Sequence, residues 1–429
     1  MHRQSLYYGW RVVGVCFMAA VFAWGFGVFG ASVYLHAITQ AQGWSISVVS
    51  AGITLFYLTN AVSLTTVGAT IDRFGSRAIF IAGAFALAAG VAGLGMVSQP
   101  WHLAPPFMLM GLGYAVLSLT GLSATIAPWF ERHQGRGVAI ALMGASFGAM
   151  LGVPALVYLI ETFGFADATL VGAALIVAVM IPLAAIVLHV RHPSQLGLLP
   201  DGAPKGAPDG GTDRATDGAS RDIPSNRAVP APAWTRATAM RTASLWTVAV
   251  AFALGLVVQI GFLTHHLKLA EPLLGSAGAA WLISATGLCG LFGRLVLARF
   301  ADRVDVRRYT AGIFGLQALL LATLGWVPGP TALILASLGY GFCLGQITTL
   351  SPIVVRREFG AASFGGIYSV AATVIQFSSA FGPGLYGVLR DWFGSYPPVL
   401  GIAAGFELMA MIVILGARAL VASPAAVAG

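Results

Sequence analysis

Arg294 is the residue of this sequence with the clearest chemical potential, because it lies inside a long apolar segment, residues 277–300. It precedes Asp302 by eight residues, which on a helix is about 12 Å and places it in the hydrocarbon zone of a membrane. An unpaired arginine there costs on the order of 3 kcal/mol, so its presence predicts a function. Its planar guanidinium can bind a carboxylate through two parallel hydrogen bonds, which predicts an anchor for an organic anion. The alternative is structural, with bonds to helix carbonyls or a side chain that reaches the surface beside Arg299.

Polar side chains in other apolar segments could complete such a site by hydrogen bonding to substrate oxygens. Each could instead form a bond between two helices, and the sequence leaves both interpretations open. The residues predicted to bind substrate together with Arg294 are Tyr114, Gln259, Tyr340 and Gln376.

Two adjacent histidines, His265 and His266, fall at the end of the apolar segment 244–266. Imidazole accepts a proton near physiological pH, so both are candidates for proton coupling. Histidines at a membrane interface need no such role, and that alternative stays open.

The composition excludes a water-soluble protein. The 429 residues are 58% hydrophobic and 9% charged, against roughly 25% charged residues in soluble domains, and the mean hydropathy is +0.84. The three cysteines each stand alone without a partner at ligand spacing, so no cofactor, metal site or disulfide is predicted. Neither a His-Glu-x-x-His motif nor a phosphate loop occurs, so no enzyme is predicted. The net charge of +8 is explained by its placement in the loops, and no nucleic-acid partner is predicted.

Twelve apolar stretches are long enough to cross a bilayer core of roughly 30 Å. All but three of the 23 Lys and Arg residues fall on one side of the membrane if the N-terminus is cytoplasmic, which predicts that both termini are cytoplasmic. The predicted spans are 10–35, 46–70, 77–98, 104–128, 137–160, 168–190, 244–266, 277–300, 309–327, 331–355, 362–388 and 397–420.

The spans form two halves with related sequences. The charged loop that contains Asp72 and Arg73 recurs 230 residues later at Asp302 and Arg303, and Gly152 recurs as Gly382 at the same offset. Such a repeat indicates an ancestral duplication. The predicted domains are an N-terminal six-helix bundle over 1–190, a flexible cytoplasmic linker over 191–241 and a C-terminal six-helix bundle over 242–429.

With its Asp-Arg-x-Gly-x-Arg loop at residues 72–77, the chain resembles the major facilitator superfamily over nearly its whole length. The resemblance implies an all-α membrane protein with twelve transmembrane helices in two pseudo-symmetric six-helix bundles, which expose a central site to each side in turn. Charged residues of the repeated loop are predicted to pair between the bundles and to gate this movement; they are Asp72, Arg73, Arg77, Asp302, Arg303 and Arg307.

A finer similarity is to the monocarboxylate transporters and the oxalate/formate exchangers. It is carried by Tyr8-Gly9-Trp10, Gly43-Trp44-Ser45, the stretch 191–202 and Gly293-Arg294. In those carriers the arginine at this place of the eighth helix binds the substrate carboxylate, which implies the same role for Arg294. The chain departs from them in three respects: Gly290 replaces the acid one turn before the arginine, the Phe29 region replaces a lysine of the first helix, and segment 362–388 has no Lys or Arg. A single cation favours a substrate with one carboxylate, since a second buried negative charge would have no partner.

These patterns predict a secondary transporter of a small organic anion, a monocarboxylate resembling lactate or pyruvate, driven by proton symport or by anion exchange. The expected location is a bacterial inner membrane, and the expected state is a monomer. One alternative is an exporter of drugs or apolar solutes, because the glycines and proline of 144–154 partly resemble the exporter signature. A non-transporting membrane sensor is a second alternative.

Overall fold

The structure, a computed structural model, describes residues 7–202, 234–360 and 363–416. Helices dominate these ranges because a backbone in lipid must satisfy its own hydrogen bonds. Numbered along the chain, they are helix 1 Tyr8–Gln42, helix 2 Ile46–Phe74, helix 3 Ser76–Leu94, helix 4 Pro100–Trp129, helix 5 Gln134–Phe163, helix 6 Phe165–Val187, helices 7 and 8 within Ala243–Phe300, helix 9 Val306–Trp326, helix 10 Pro330–Phe359, helix 11 Phe364–Phe393 and helix 12 Tyr396–Gly416.

The segment Ala243–Phe300 supplies two crossings of the membrane. Its 58 residues would extend about 87 Å as one helix, far beyond a bilayer core of roughly 30 Å. The backbone leaves the helical region at Gly275 (φ 69°, ψ 170°), a left-handed φ that favours glycine. Helix 7 therefore covers 243–274 and helix 8 covers 276–300. The predicted all-α fold with twelve membrane-spanning helices is confirmed for the described ranges, although helix 7 runs beyond its predicted end at residue 266.

Helices 1–6 and helices 7–12 form two bundles that share a type of close contact. A Cβ on Gly148 of helix 5 would lie 2.8 Å from the backbone nitrogen of Gly25 in helix 1. In the second bundle, a Cβ on Gly382 of helix 11 would lie 2.8 Å from the backbone nitrogen of Gly261 in helix 7. Glycine at these crossings lets the helix backbones touch. Each bundle thus contains one close crossing of two helices through glycine.

We name the two membrane sides by their residues. The basic side carries the start of helix 1 at Tyr8 and the end of helix 2 at Phe74. The distal side carries the end of helix 1 at Gln42 and the end of helix 9 at Trp326.

The segment 191–202, the first part of the predicted linker, lies against the basic side of the first bundle. The carboxylate of Asp201 accepts hydrogen bonds from the backbone N–H of Glu131 (3.0 Å) and of Arg132 (2.8 Å) and contacts the His133 ring at 2.9 Å. Burial alone would raise the pKa of Asp201, but these hydrogen bonds lower it below its ordinary value. Helix Arg236–Met240 lies at the far end of the linker. Residues 203–233 lie outside the described ranges.

Candidate substrate site

Arg294 projects from the face of helix 8 that contacts the first bundle. The hydroxyl of Ser284 donates a hydrogen bond to the carbonyl oxygen of Ala149 in helix 5 at 3.1 Å. A Cβ on Gly287 would lie 2.7 Å from the Cβ of Ala149. Arg294 follows Gly287 by seven residues, almost two full turns, and therefore shares its face. It lies about 10 Å nearer the basic side than this contact.

The exposed side of helix 8 differs from the face that carries Gly287 and Arg294. Phe292 and Leu295 are 56% and 55% exposed, and Arg299 lies seven residues beyond Phe292, on the same exposed face. Arg294 is half-buried, and no ion pair or hydrogen bond of its guanidinium occurs within the described ranges. The alternative of hydrogen bonds to helix carbonyls is therefore not seen in the described part of this conformation.

Gly293 fixes the direction in which Arg294 projects. A Cβ on Gly293 would collide with the carbonyl oxygen of Phe342 in helix 10, and one on Gly290 would lie 3.3 Å from the carbonyl oxygen of Gly341. Helix 8 thus rests its backbone on helix 10 along the glycine face. The next residue, Arg294, is turned by about 100° away from that contact, toward the first bundle.

Gln376 of helix 11 also faces the first bundle. Two turns later the N–H of Gly384 donates to Thr54 Oγ1 of helix 2 at 3.0 Å, and Ala380 between them packs in a hydrophobic cluster that contains residues of both bundles. Residues four and eight positions apart share a helix face. Gln376 is half-buried, and its side chain makes no hydrogen bond with another described residue. Arg294 and Gln376 therefore project toward the same space between the bundles.

Tyr114 is buried and belongs to an aromatic wall of helices 1, 2 and 4 within the first bundle. Its ring lies 5.3 Å from the ring of Trp24 and 5.4 Å from that of Phe56. A Cβ on Gly27 of helix 1 would be 3.1 Å from the Tyr114 ring, so glycine leaves room for it. The wall is apolar apart from the phenol and indole groups.

The two remaining predicted substrate residues are enclosed by protein. Tyr340 is fully buried, 4.5 Å from the ring of Phe262 inside the second bundle, and its hydroxyl has no described partner. Tyr340 does not line the space that Arg294 faces. Gln259 is also buried, one turn before Leu263, which packs in the hydrophobic cluster that contains residues of both bundles. It lies near the interface between the bundles but is covered in this conformation.

The bundles are joined in their distal halves. We call the following set of hydrogen bonds between them the distal gate; its members were not predicted from the sequence, His265 excepted. They are Ser47 N–H to Asp391 (2.9 Å), Ser50 to His265 (3.3 Å), Gly384 N–H to Thr54 (3.0 Å), Lys268 to Thr39 (2.5 Å), Ser276 to Glu161, and Ser284 to Ala149 (3.1 Å).

On the basic side, the faces of helices 2 and 11 that meet in the distal half are separated. Gly68 lies five turns from Ser50 on one face of helix 2, and Gly366 lies five turns from Gly384 on one face of helix 11. A Cβ on Gly384 would lie 2.9 Å from Thr54, but a Cβ on Gly68 or Gly366 would meet no atom within 4 Å. Among the described residues no hydrogen bond joins the bundles on this side. The space in front of Arg294 and Gln376 is therefore closed distally and open toward the basic side.

The two histidines have different surroundings. His265 Nε2 lies 3.3 Å from Ser50 Oγ in the first bundle and 3.2 Å from the carbonyl oxygen of Pro383 in helix 11, and its Nδ1 lies 3.1 Å from the hydroxyl of Tyr396. Among the described residues, the hydrogen bond of the His266 ring joins Nε2 to Ser337 Oγ of its own bundle at 3.0 Å. Only the first histidine therefore connects the two bundles.

A cavity of about 420 Å³ lies on the distal side between helices 1, 5 and 7. It is lined by His36, Glu161 and Glu271 but by none of the predicted substrate residues. Ser276, at its edge, precedes Arg294 by 18 residues on helix 8, or about 27 Å. This cavity is a distal vestibule, separate from the space that Arg294 faces.

Most of the predicted gating residues are free of contact between bundles in this conformation. Asp72, Arg73, Arg77 and Arg303 are exposed on the basic side, and the side chain of Asp302 lies outside the described part of the chain. Arg307 is buried instead within the second bundle, where it forms an ion pair with Glu358 and donates to the carbonyl oxygen of Ile414 at 2.8 Å. In this state Arg307 connects helices 9, 10 and 12.

The glycines of helix 5 serve its packing against helix 1. A Cβ on Gly144 would collide with the carbonyl oxygen of Phe17, and Gly148 contacts Gly25 as described above. The letters of residues 144–148 also match the Gly-x-Ser-x-Gly pattern of hydrolases, but they lie within helix 5 rather than at a turn between a strand and a helix. Neither an exporter nor a hydrolase is therefore indicated by these residues alone.

Comparison with known proteins gives a consistent result. Residues 15–383 match the profile of the Major Facilitator Superfamily. The chain is 26% identical over 364 residues to human monocarboxylate transporter 11, which covers 80% of this chain and 69% of that protein. It is 24% identical over 403 residues to the riboflavin transporter MCH5 of Saccharomyces cerevisiae, covering 89% and 72%. Its fold is similar to the crystal structure of the nucleoside transporter NupG, with a TM-score of 0.72 at 12% identity over 96% of this chain and all of that one.

Proposed function

The chain belongs to the Major Facilitator Superfamily and is a membrane transporter rather than an enzyme, and from that premise we propose that its substrate is a small monocarboxylate. The single observation that carries the proposal is Arg294, a cation without a described partner that faces the space between the bundles. A carboxylate bound there would form the paired hydrogen bonds that the guanidinium lacks.

The surroundings of Arg294 favour a short acid with one charge. Residues 362–388 of helix 11, which faces the same space, contain no Lys or Arg. A dicarboxylate would leave one negative charge in an apolar space without a counter-ion, which is strongly unfavourable. Gln376 can donate to a further oxygen of the substrate. Acids resembling lactate or pyruvate have these properties.

The relatives support transport of organic molecules but differ in what their names say they carry. One is named for monocarboxylates and another for riboflavin. The single positive charge of Arg294 and the absence of Lys and Arg from residues 362–388 are therefore the arguments for the substrate class proposed here.

Transport would proceed by alternating access. In the present conformation the substrate exchanges with the basic side, because the distal gate is closed. We propose that the basic side is cytoplasmic, since most Lys and Arg residues of the loops lie there, and that the protein resides in the inner membrane of a bacterium. Proton symport and anion exchange would both use this movement.

Counterflow in proteoliposomes tests the proposal directly. Purified protein is reconstituted, loaded with unlabelled acid and supplied with labelled acetate, L-lactate, pyruvate, oxalate or succinate at two pH values. We expect counterflow of monocarboxylates, no counterflow of dicarboxylates, and its loss in Arg294→Gln. Arg299→Gln is the matched control, because Arg299 lies on the exposed face of the same helix. Full activity of Arg294→Gln would contradict the proposal.

A further inference from the structure

We propose that His265 is the proton-binding site of this transporter and that its protonation opens the distal gate. The inference rests on the proposed function in one respect, the coupling of protons to a carboxylate. The geometry that motivates it does not depend on the substrate.

His265 is the titratable side chain that bonds most widely across the distal gate. Its ring joins helix 7 to Ser50 of helix 2, to the carbonyl oxygen of Pro383 in helix 11 and to Tyr396 at the start of helix 12. The ring is 2% exposed. Any change in its hydrogen bonding therefore acts on both bundles at once.

A neutral ring satisfies all the contacts of His265 in the closed state. The carbonyl oxygen of Pro383 can only accept, so Nε2 carries the hydrogen, and Nδ1 then accepts from the hydroxyl of Tyr396. A second proton can enter only at Nδ1, where it would face a hydroxyl that now donates. Protonation thus requires that hydroxyl to turn and accept, and it places a positive charge on the ring that contacts Ser50 of the first bundle.

The charges around His265 also disfavour an imidazolium in the closed gate. Lys268 lies on its own helix, and Arg390 and Asp391 lie at the distal end of helix 11. The remaining titratable neighbours are two phenols, Tyr386 with its ring at 5.5 Å and Tyr396.

Two nearby cations oppose the added charge. The one carboxylate, Asp391, already accepts from Ser47 N–H. A buried charge without a close partner is costly, and opening the gate admits water to it. Protonation therefore shifts the population toward the distally open state.

The coupling of the proton to the substrate follows from the net charge of the carrier. The empty carrier has the positive charge of Arg294 in its central space. A proton on His265 adds one positive charge, and a monocarboxylate on Arg294 adds one negative charge. The carrier with both ligands thus has the same net charge as the empty carrier, whereas the carrier with a proton alone has an extra buried charge. A carrier that has bound only the proton keeps its distal gate open, and binding of the acid to Arg294 allows the gate to close.

His266 offers a matched control one residue away. Its contacts, Ser337 Oγ at 3.0 Å and the Phe262 ring at 4.6 Å, belong to the second bundle. A proton on His266 would place the charge at contacts inside that bundle, whereas a proton on His265 places it at the contact with Ser50 across the distal gate. Substitution of the two histidines by glutamine, which keeps a donor near the Nε2 position, therefore separates the two roles.

The experiment measures the distal gate by the distance between two spin labels. They are attached through Met96→Cys and Trp326→Cys, whose side chains are 78% and 64% exposed at the distal ends of opposite bundles. Full-length protein in lipid is measured at about pH 5 and about pH 8, on either side of the ordinary histidine pKa. We expect a longer distance at the acidic pH in the parent and in His266→Gln, and no change in His265→Gln.

A flux measurement on the same proteins guards against loss of folding. Counterflow of the acid transported by the parent, measured at equal pH on both sides, should vary with that pH in the parent and in His266→Gln but not in His265→Gln, and the acceleration of uptake by an acidic outside should be lost only in His265→Gln. The proposal is overturned if His265→Gln opens with acid as the parent does, if the parent shows no change of distance, or if His266→Gln loses the response. If His265→Gln shows no counterflow, His265→Asn replaces it, with the same expectations. If no acid gives counterflow in the parent, the proposed substrate class fails, and the distance measurement still decides the role of His265.

Discussion

The carboxylate of Asp391, at the distal end of helix 11, accepts a hydrogen bond from the backbone N–H of Ser47 at 2.9 Å. Ser47 is in the first turn of helix 2, which begins at Ile46. An acidic side chain from one bundle thus caps the N-terminus of a helix in the other, where the free N–H groups and the helix dipole favour negative charge.

Asp391→Ala should destabilise the distally closed state. Loss of such a cap costs about 1 kcal/mol, which corresponds to about a fivefold shift of the population toward the distally open state. The distance between spin labels at Met96 and Trp326 measures this shift. Asp167→Ala is the control, because Asp167 lies exposed in the first turn of helix 6. An unchanged distance distribution in Asp391→Ala would show that this contact does not hold the gate.

Gly293→Ala should displace helix 8 from helix 10 and misdirect Arg294. The added Cβ would collide with the carbonyl oxygen of Phe342, a backbone atom that cannot turn away. Overpacking of this kind typically lowers the free energy of unfolding by about 1–3 kcal/mol. Thermal unfolding in detergent and monocarboxylate counterflow should both decrease. Gly312→Ala in helix 9, whose Cβ would meet no atom within 4 Å, should leave both unchanged; equal effects of the two substitutions would refute the packing argument.

Glu358→Gln should destabilise the second bundle more than any single change at its surface. The Glu358 carboxylate pairs with Arg307, which is 5% exposed, and removing one partner of a buried ion pair costs on the order of 3–5 kcal/mol. The measurement is the midpoint of thermal unfolding. Arg308→Gln provides the comparison, since Arg308 is exposed beside Arg307. Similar midpoints for the two variants would mean that the pair contributes little.

Acid should release segment 191–202 from the first bundle. The pKa of Asp201 is lowered in the folded protein, so its carboxylate stabilises the docked segment above the ordinary carboxyl pKa near 3.8. This stability is lost as the pH falls through the lowered pKa. Hydrogen exchange of the amides of Glu131 and Arg132 reports the docking: it should be slow at neutral pH and faster in Asp201→Ala.

The amides of helix 3 serve as an internal reference for that experiment. They should exchange alike in both proteins, because helix 3 makes no bond to Asp201 in the described ranges. Equal protection of Arg132 in Asp201→Ala and in the parent would contradict the assigned role.

Part of the candidate site could be predicted from the sequence, because a charged residue inside an apolar segment has a recognisable energetic cost. An arginine eight residues from the polar end of an apolar segment costs free energy whichever way the helix faces, so Arg294 can be recognised from the sequence alone. Gln376 and Tyr114 were also predicted, but apolar segments do not reveal which side of a helix faces a neighbour. Tyr340 illustrates the limit: it meets the same criterion, yet it lies inside its own bundle against Phe262. Its predicted role in binding substrate stays a prediction that this conformation does not support.

The distal gate could not be predicted for a different reason. Ser47 and Asp391 are 344 residues apart, and Ser50 and His265 are 215 apart. Serine and threonine are common in membrane helices, where they usually bond their own backbone, as Ser32 does with the carbonyl oxygen of Phe29. Only the packing of one bundle on the other distinguishes Ser50 from such residues.

The sequence alone determined that this chain spans a membrane in twelve helices, because hydrocarbon admits no unpaired backbone and few charges, and these constraints act on each segment separately. The tertiary structure decided which helix faces meet. It directs Arg294 toward the first bundle by resting Gly293 on Phe342, and it makes His265 a link between bundles while the adjacent His266 stays within one. A helix turns by about 100° per residue, so neighbouring residues face different surroundings, and only the packed bundles determine what those surroundings are.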